Sequence, residues 1–171
     1  MSVSGLIVPP NEGKRLVAKA QDVTFKVTAE HSAYASTFEV VVPPGFNTGA
    51  HYHTDGEELF YVLDGELDMF AFEPRERTEN WLEWESPAGE RAVSAGAGSL
   101  MFVPPGCPHA FANRTDRPAR MLFQSSPPGD HEEYFHGLLA IFASGDTVDP
   151  QAVAHLRTTH DVHQITPLSY G

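Results

Sequence analysis

The sequence predicts an all-β domain followed by a short helical extension. Up to about residue 127, short runs of residues alternate between apolar and polar side chains, which is the period of a strand with one buried face. After Pro127-Pro128-Gly129, apolar residues recur every three or four positions, which is the period of a helix. A chain of 171 residues is long enough to bury a single core. We therefore expect an arm at residues 1–20, a β domain at residues 21–127 and a helical extension at residues 128–171.

Composition narrows the range of partners. The chain has 23 acidic and 11 basic residues, a formal net charge of −12, which disfavours nucleic acid and anionic membrane surfaces. There is no apolar run long enough to cross a membrane and no secretion signal at the start, so we expect a cytoplasmic protein. The single cysteine, Cys107, cannot form an intrachain disulfide, which agrees with a reducing compartment.

The first strands follow a turn-rich start. Pro9-Pro10-Asn11 predicts an irregular arm that lies over the β domain or toward a partner subunit, the alternative being a loose terminus. Alternation predicts strands over residues 23–28 and 38–42, and Pro43-Pro44-Gly45 ends the second one. Residues 59–63 are expected to pair with residues 66–72 in a hairpin across Asp64-Gly65.

The stretch from Glu73 to Ala97 is charged but contains Trp81 and Trp84. We expect a strand over residues 80–86 whose Trp rings cover the outside of the domain or a subunit interface, although a wall of the substrate site is an alternative. Alternation then predicts the closing strands at residues 99–103 and 119–124.

Two helices are predicted in the extension. The first runs from Asp130 to Ala143, with acidic residues in its first turn and an apolar stripe formed by Phe135, Leu138, Leu139 and Phe142. The second runs to about Thr159, because Asp149 and Pro150 are a favoured N-cap and first helical residue.

Four residues form a candidate metal site. His51 and His53 are two residues apart, so both imidazoles point to one side of a strand. Glu58 follows after a polar turn, and His109 follows a Pro-Gly turn much later in the chain. Three neutral nitrogens and one carboxylate suit Fe, Mn, Ni, Cu, Co or Zn, and the ligand set alone does not choose among them. Four protein ligands leave two positions of an octahedral ion open, which favours catalysis over a purely structural role.

These residues resemble the two sequence motifs of the cupin family. The first motif is matched by G-x5-H-x-H-x4-E-x6-G and the second by G-x5-P-x-G-x2-H-x3-N, with no departure in either. The matching positions are Gly45, His51, His53, Glu58 and Gly65, then Gly98, Pro104, Gly106, His109 and Asn113. The resemblance covers about residues 20–127 and implies a double-stranded antiparallel β-helix, or jelly-roll barrel, that holds the metal in its mouth.

A second resemblance concerns function. A helix with an acidic first turn, a second helix and a Pro-Leu tail after the barrel resemble bacterial single-barrel cupins of the quercetinase type. This implies a dioxygenase that acts on a small oxygenated aromatic, flavonol-like, or dicarbonyl compound, with Glu58 as both ligand and proton acceptor. The alternatives are a non-oxidative metal enzyme of the cyclase, isomerase or lyase class, and a non-catalytic barrel that binds a small molecule.

Other polar residues receive structural interpretations. Asn113 is expected to brace backbone, Cys107 to be a small buried side chain, and Glu57 to point away from the metal. We expect a homodimer, because the Trp81–Trp84 stretch and the arm supply apolar surface. The remaining histidines are interpreted as solvated and receive no role; they are His31, His131, His136, His155, His160 and His163.

Overall fold

In the computed structural model, which describes residues 4–18, 21–143 and 148–170, two antiparallel sheets face each other. The strands are β1 Lys14–Ala18, β2 Gln21–Val27, β3 Ser36–Val42, β4 His51–Tyr52, β5 Glu57–Asp64, β6 Glu66–Ala71, β7 Val93–Gly96, β8 Leu100–Val103, β9 His109–Ala112, β10 Ala119–Ser126 and β11 His163–Gln164. The larger sheet has the order β1-β2-β3-β10-β5-β8 and the smaller has the order β11-β4-β9-β6-β7. The fold is a double-stranded antiparallel β-helix with two C-terminal helices, so the predicted fold class is confirmed.

The main core lies between the two sheets. Alternate residues of β5 and β6 point inward, so Phe60 and Val62 of the larger sheet meet Leu67 and Met69 of the smaller one. None of these four side chains is more than 4 % exposed. This apolar interior fixes the separation of the sheets and thereby the position of every side chain that enters it from either side.

The predicted hairpin across Asp64-Gly65 is wrong. β5 pairs with β10 and β8, whereas β6 pairs with β9 and β7, so the chain leaves one sheet at Gly65 and enters the other. The glycine is still required, because its φ is +80° and a Cβ atom there would lie 2.9 Å from Ala119. The turn residues indicated a sharp change of direction correctly, but they carry no information about which strands pair afterwards.

The predicted strand over residues 80–86 is also wrong. Trp81–Glu83 forms a 3₁₀ helix that is capped by the Asn80 side chain. Trp81 and Trp84 are each only 2 % exposed and pack with Phe70 on the outer face of the smaller sheet. The indole nitrogens donate to Asn47 and Thr78, so both rings belong to a second core within the chain rather than to an exposed surface.

The segment predicted as an irregular arm contains β1. Its register places Leu16 opposite Val23 of β2, and Leu16 enters the main core. Leu16 is the only residue of β1 that is fully buried, which leaves too little alternation for a prediction. Residues 1–3 and 19–20 of the predicted arm lie outside the described part of the chain.

Both predicted helices are present, as α1 His131–Ala143 and α2 Pro150–Thr159. The Asp149 side chain accepts a hydrogen bond from the Gln151 amide at 2.9 Å, as the N-cap prediction requires. Leu138 and Phe142 of α1 pack with Val153 of α2 in a third apolar cluster. Residues 144–147 and 171 of the extension lie outside the described residues. Within the described ranges, neither helix is long and apolar enough to cross a membrane.

Candidate metal centre

The two sheets bring the four predicted ligands together. They are His51, His53, Glu58 and His109, named here the His3Glu cluster. His51 on β4 lies opposite His109 on β9 in the smaller sheet, and His53 follows β4. Glu58 enters from β5 of the larger sheet, where it lies opposite Val103. All four residues are buried, and their ligand atoms lie within 4.8 Å of one another.

Backbone carbonyls orient the three imidazoles. Nδ1 of His51 donates to the Gly49 carbonyl at 2.9 Å, Nδ1 of His53 to the Asp161 carbonyl at 2.9 Å, and Nδ1 of His109 to the Cys107 carbonyl at 3.0 Å. A carbonyl oxygen can only accept, so each Nδ1 carries the proton and each Nε2 keeps a lone pair. This is the outer hydrogen bonding that metal-bound histidines make.

The distances fit a single ion. Nε2 of His53 lies 3.2 Å from Glu58 Oε1, and Nε2 of His109 lies 3.0 Å from Glu58 Oε2. Two ligands at right angles around an ion with bonds of about 2.1 Å are about 3.0 Å apart. Three of these atoms are buried without a well-directed hydrogen bond: His53 Nε2, His109 Nε2 and Glu58 Oε2. Such orphaned atoms are unfavourable unless something lies between them, and a divalent cation satisfies all of them at once.

Electrostatics keeps most of the cluster ready to bind a cation. Burial alone would raise the pKa of Glu58, but the facing histidines His53, His109 and His131 outweigh it and hold that pKa well below its usual value. Burial lowers the pKa of His51 far below its usual value, assisted by the charges of His109 and Arg157. Glu58 is therefore ionised and His51 neutral near pH 7, as a metal ion requires of its ligands.

The pKa of His53 is shifted in the opposite direction to that of His51. Burial works to lower its pKa, but the carboxylate of Glu58 and the acceptors on Asp161 prevail and raise it. A metal ion can bind His53 only in its neutral form, so acid would oppose metal binding at this residue.

His131 corrects one sequence interpretation. It was expected to be solvated, but it begins α1, its side chain is only 18 % exposed, and its Nε2 lies 3.2 Å from Glu58 Oε1. Its ring also packs against Phe123 in a T-shaped arrangement, with the two ring centroids 5.2 Å apart. No motif marks this residue, because it lies on the helical extension and its contact with Glu58 is a tertiary one.

Asp161 was not identified from the sequence either. It follows α2 with a φ of +55°, a conformation that Asp tolerates better than most residues. Besides the carbonyl that accepts from His53, its carboxylate accepts hydrogen bonds from the Thr54 and Asp55 amides and the Thr54 hydroxyl at 2.7–3.1 Å. Asp161 thus ties the end of α2 to the loop that carries His53.

An apolar cavity of about 110 Å³ opens beside the His3Glu cluster. Phe60, Phe111 and Phe123 form walls on the two sheets. Four residues of α1, namely Tyr134, Phe135, Leu138 and Phe142, cover it from the extension, together with Arg157 of α2. Phe135 and Phe142, which belong to the apolar stripe predicted for α1, thus line the cavity.

The other polar residues of the motifs have structural surroundings. Asn113 is fully buried; its amide donates to the Val42 and Arg117 carbonyls at 2.9 and 2.7 Å, which is the expected bracing role. Cys107 is half-buried, and burial raises the pKa of its thiol, so it is not an activated nucleophile. Glu57 is exposed, as expected.

The other histidines lie outside the His3Glu cluster. His31, His136 and His155 are exposed, in agreement with the solvated interpretation. The solvated interpretation is wrong for His160, whose side chain is only 11 % exposed and pairs with Asp130 at 2.6 Å. His163 keeps a 40 % exposed side chain and stacks on Tyr52 beside Asp161.

Comparison with known proteins gives one family and one curated relative. A family model described as Cupin matches residues 12–157. An uncharacterized protein of Methanocaldococcus jannaschii is 29 % identical over 102 residues, which is 57 % of this chain and 65 % of that protein. The match therefore spans just under two thirds of the length of that relative.

Solved structures share the fold at low sequence identity. A polyketide cyclase, RemF, from Streptomyces resistomycificus aligns with a TM-score of 0.55 at 21 % identity and covers 72 % of this chain and 80 % of its own. A sugar phosphate isomerase from Silicibacter pomeroyi gives 0.54 at 18 %, covering 71 % and 75 %. An oxalate decarboxylase from Lactobacillus farciminis gives 0.52 at 21 %, covering 69 % of this chain and only 32 % of its own. At these identities, the likeness extends to the fold alone.

Proposed function

The chain belongs to the cupin family, and from this premise we propose that it is a metal-dependent dioxygenase of a small oxygenated aromatic or dicarbonyl compound. The observation that carries the proposal is the buried His3Glu cluster at one side of an apolar cavity. Its four groups would supply the ligands, and the cavity offers a mainly apolar space for a substrate beside them.

The His3Glu cluster would hold a divalent ion, which would supply Lewis acidity toward a substrate oxygen and a place for dioxygen to react. The side chains around the ion would bind the substrate and accept its proton. Phe60, Phe111 and Phe123 give an aromatic substrate apolar surface, and α1 shields the cavity from solvent. Glu58 keeps an ionised carboxylate beside the site and is proposed to accept the acidic proton of the incoming substrate.

The test begins with metal analysis of protein purified without a histidine tag. We expect about one transition-metal ion per chain, and His53→Ala or His109→Ala should lose most of it while staying folded. The protein is then screened in an oxygen electrode against flavonols, catechols and 1,3-dicarbonyl compounds. Oxygen uptake that matches substrate loss, and that both variants abolish, supports the proposal. Turnover that continues unchanged without oxygen contradicts it.

The second candidate is a non-oxidative metal enzyme in which the ion is only a Lewis acid. It is favoured by the names of the solved structures with the same fold, a cyclase, an isomerase and a decarboxylase. Metal-dependent turnover under argon would support this candidate, and the identity of the product would assign its reaction class. Tight binding without turnover in either gas would indicate a binding protein instead.

A further inference from the structure

Arg157 is a buried cation that no carboxylate neutralises among the described residues. The residue lies in the last turn of α2 and is only 4 % exposed. Its Nε donates to the Tyr134 hydroxyl at 3.0 Å and its Nη1 to the Thr48 carbonyl at 3.0 Å. Both acceptors are neutral, and no ion pair joins Arg157 to any described acidic residue. A buried guanidinium normally has an anionic partner, because burial of an unpaired charge is strongly unfavourable.

The guanidinium has donors left over. Two of its five N–H groups are used by Tyr134 and Thr48, which leaves three. Nη2 makes no hydrogen bond to a described residue, yet it is not among the fully enclosed unpartnered atoms. It therefore reaches accessible space, where an oxyanion could accept charge-assisted hydrogen bonds from it.

Arg157 lines the same cavity as the His3Glu cluster. The acidic residues that line the cavity already have partners other than Arg157. Asp22 pairs with Arg15 at 2.6 Å, and Glu58 faces the histidines. With a divalent ion bound, two positive charges on the ion and one on Arg157 would exceed the single negative charge of Glu58, which favours an anionic ligand.

We propose that Arg157 is the anion-binding residue of this cavity and that the substrate is a small organic acid. Its carboxylate pairs with the Arg157 guanidinium, and the part of the molecule that reacts lies at the His3Glu cluster. The proposal rests on the proposed function to the extent that the cavity is taken as the substrate site. It requires a metal-loaded protein but no particular reaction.

The competing explanation is that Arg157 is only a brace. It joins α1, through Tyr134, to the loop before β4, through Thr48, and such a brace needs no ligand. Arg157 also lines a second cavity together with Pro150, Gln164 and Tyr170, from which an anion could approach without meeting the metal. The experiment has to separate these cases from the proposal.

The probes are benzoate and benzamide, which share shape and differ in charge, titrated into Co(II)-loaded protein. Binding is followed by calorimetry and by the visible absorption of the cobalt. We expect benzoate to bind at least about tenfold more tightly than benzamide and to change the cobalt spectrum. Arg157→Gln should lose at least about tenfold in benzoate affinity and leave benzamide unaffected, while Arg157→Lys should retain part of the preference. Arg120→Gln is the matched control, because Arg120 is an exposed arginine of β10.

Tyr134→Phe tests whether loss of the Arg157–Tyr134 hydrogen bond alone, without loss of the charge, weakens the binding of benzoate. It removes one acceptor of the guanidinium but keeps the charge, so benzoate should retain most of its preference over benzamide in this variant. The proposal is overturned if folded Arg157→Gln binds benzoate as well as the wild type. It is equally overturned if benzoate binds without changing the cobalt spectrum, which would place the anion in the second cavity. Should Arg157→Gln fail to fold, Arg157→Lys together with the benzoate-to-benzamide ratio of the wild type gives the same decision. Absence of oxygen uptake would contradict the dioxygenase and leave this result intact.

Discussion

Glu58 is the residue on which the chemistry of the site depends most, because its two oxygens have different neighbours. Oε1 lies 3.2 Å from both His53 and His131, and Oε2 lies 3.0 Å from His109. His131 is the one of these neighbours that does not belong to the His3Glu cluster. Since the histidines hold the pKa of Glu58 well below its usual value, its carboxylate is a good ligand but accepts a proton only from an acidic hydroxyl, such as a metal-activated enol or phenol.

Glu58→Gln tests the proposed proton acceptor. The amide keeps the shape and one ligating oxygen but loses the basicity, so we expect metal content to be largely retained and turnover to fall by roughly a hundredfold or more. The measurements are metal analysis and single-turnover kinetics on a substrate that the wild type accepts.

His131→Ala is the matched comparison for that variant. It removes the contact to Oε1 without changing a ligand, so metal should stay bound and turnover should fall much less than in Glu58→Gln. A Glu58→Gln protein that holds metal and works at the wild-type rate would refute the proton-acceptor role. Equal losses in both variants would assign the effect to carboxylate orientation instead.

At the scale of elements, α2 reaches the metal site through the residue that follows it. The Asp161 carbonyl accepts a hydrogen bond from His53 Nδ1, and its carboxylate accepts hydrogen bonds from the Thr54 and Asp55 amides. β4 itself has only two residues, so these hydrogen bonds help to hold the loop that follows it. The helical extension therefore contributes to the orientation of a metal ligand in addition to covering the cavity.

Asp161→Gly tests this contribution. Glycine accepts the φ of +55° without strain, so the change removes the carboxylate and little else. We expect the affinity for Zn(II), measured by competition with a chelator, to fall about tenfold, as is typical when a partner of a metal ligand is lost.

Asp149→Ala is the control for Asp161→Gly. It removes the N-cap at the other end of α2, which should cost about 1 kcal/mol of stability. If α2 acts only through its stability, both variants will weaken zinc binding alike. If Asp161 orients His53, only Asp161→Gly will do so.

The elements also show which features were predictable. The helices followed from strong local signals, such as the Asp149 cap and the acidic first turn of α1, and those signals need no knowledge of the rest of the fold. β4 and β11 have two residues each, too few for any alternation to be visible. The Asp64-Gly65 turn was recognised, but sheet pairing depends on which apolar faces meet, and that is a tertiary property.

For the whole molecule, the four ligands were predictable because their spacing matches two complete motifs. The rest of the site was not, since His131, Arg157 and Asp161 come from the extension and reach the barrel only through tertiary contacts. No local pattern distinguishes an arginine in the last turn of a helix that enters a cavity from one that interacts with the helix dipole.

The proposed homodimer also concerns the whole molecule, and it has to use a different surface from the one that the sequence suggested. Trp81 and Trp84 cannot supply an interface, because both are buried within the chain. An apolar strip is exposed instead on β5 and the edge strand β8, formed by Tyr61, Leu63, Leu100 and Phe102 with exposures of 36–56 %. An edge strand with apolar side chains favours pairing with another strand, and a second copy of this chain offers the same strip by two-fold symmetry.

We therefore expect light scattering at micromolar concentration to give about twice the chain mass of 18.7 kDa, that is 37.4 kDa. Phe102→Glu combined with Leu100→Glu should shift the protein to a monomer with its fold intact, because both side chains point outward from β8. Val93→Glu is the control, since Val93 is an equally exposed apolar residue on β7 of the other sheet. Each chain carries a net charge of −12, so repulsion opposes association and added salt should strengthen the dimer. A single-chain mass at all concentrations, or a dimer that survives the double substitution and dissociates in Val93→Glu, would rule out this interface.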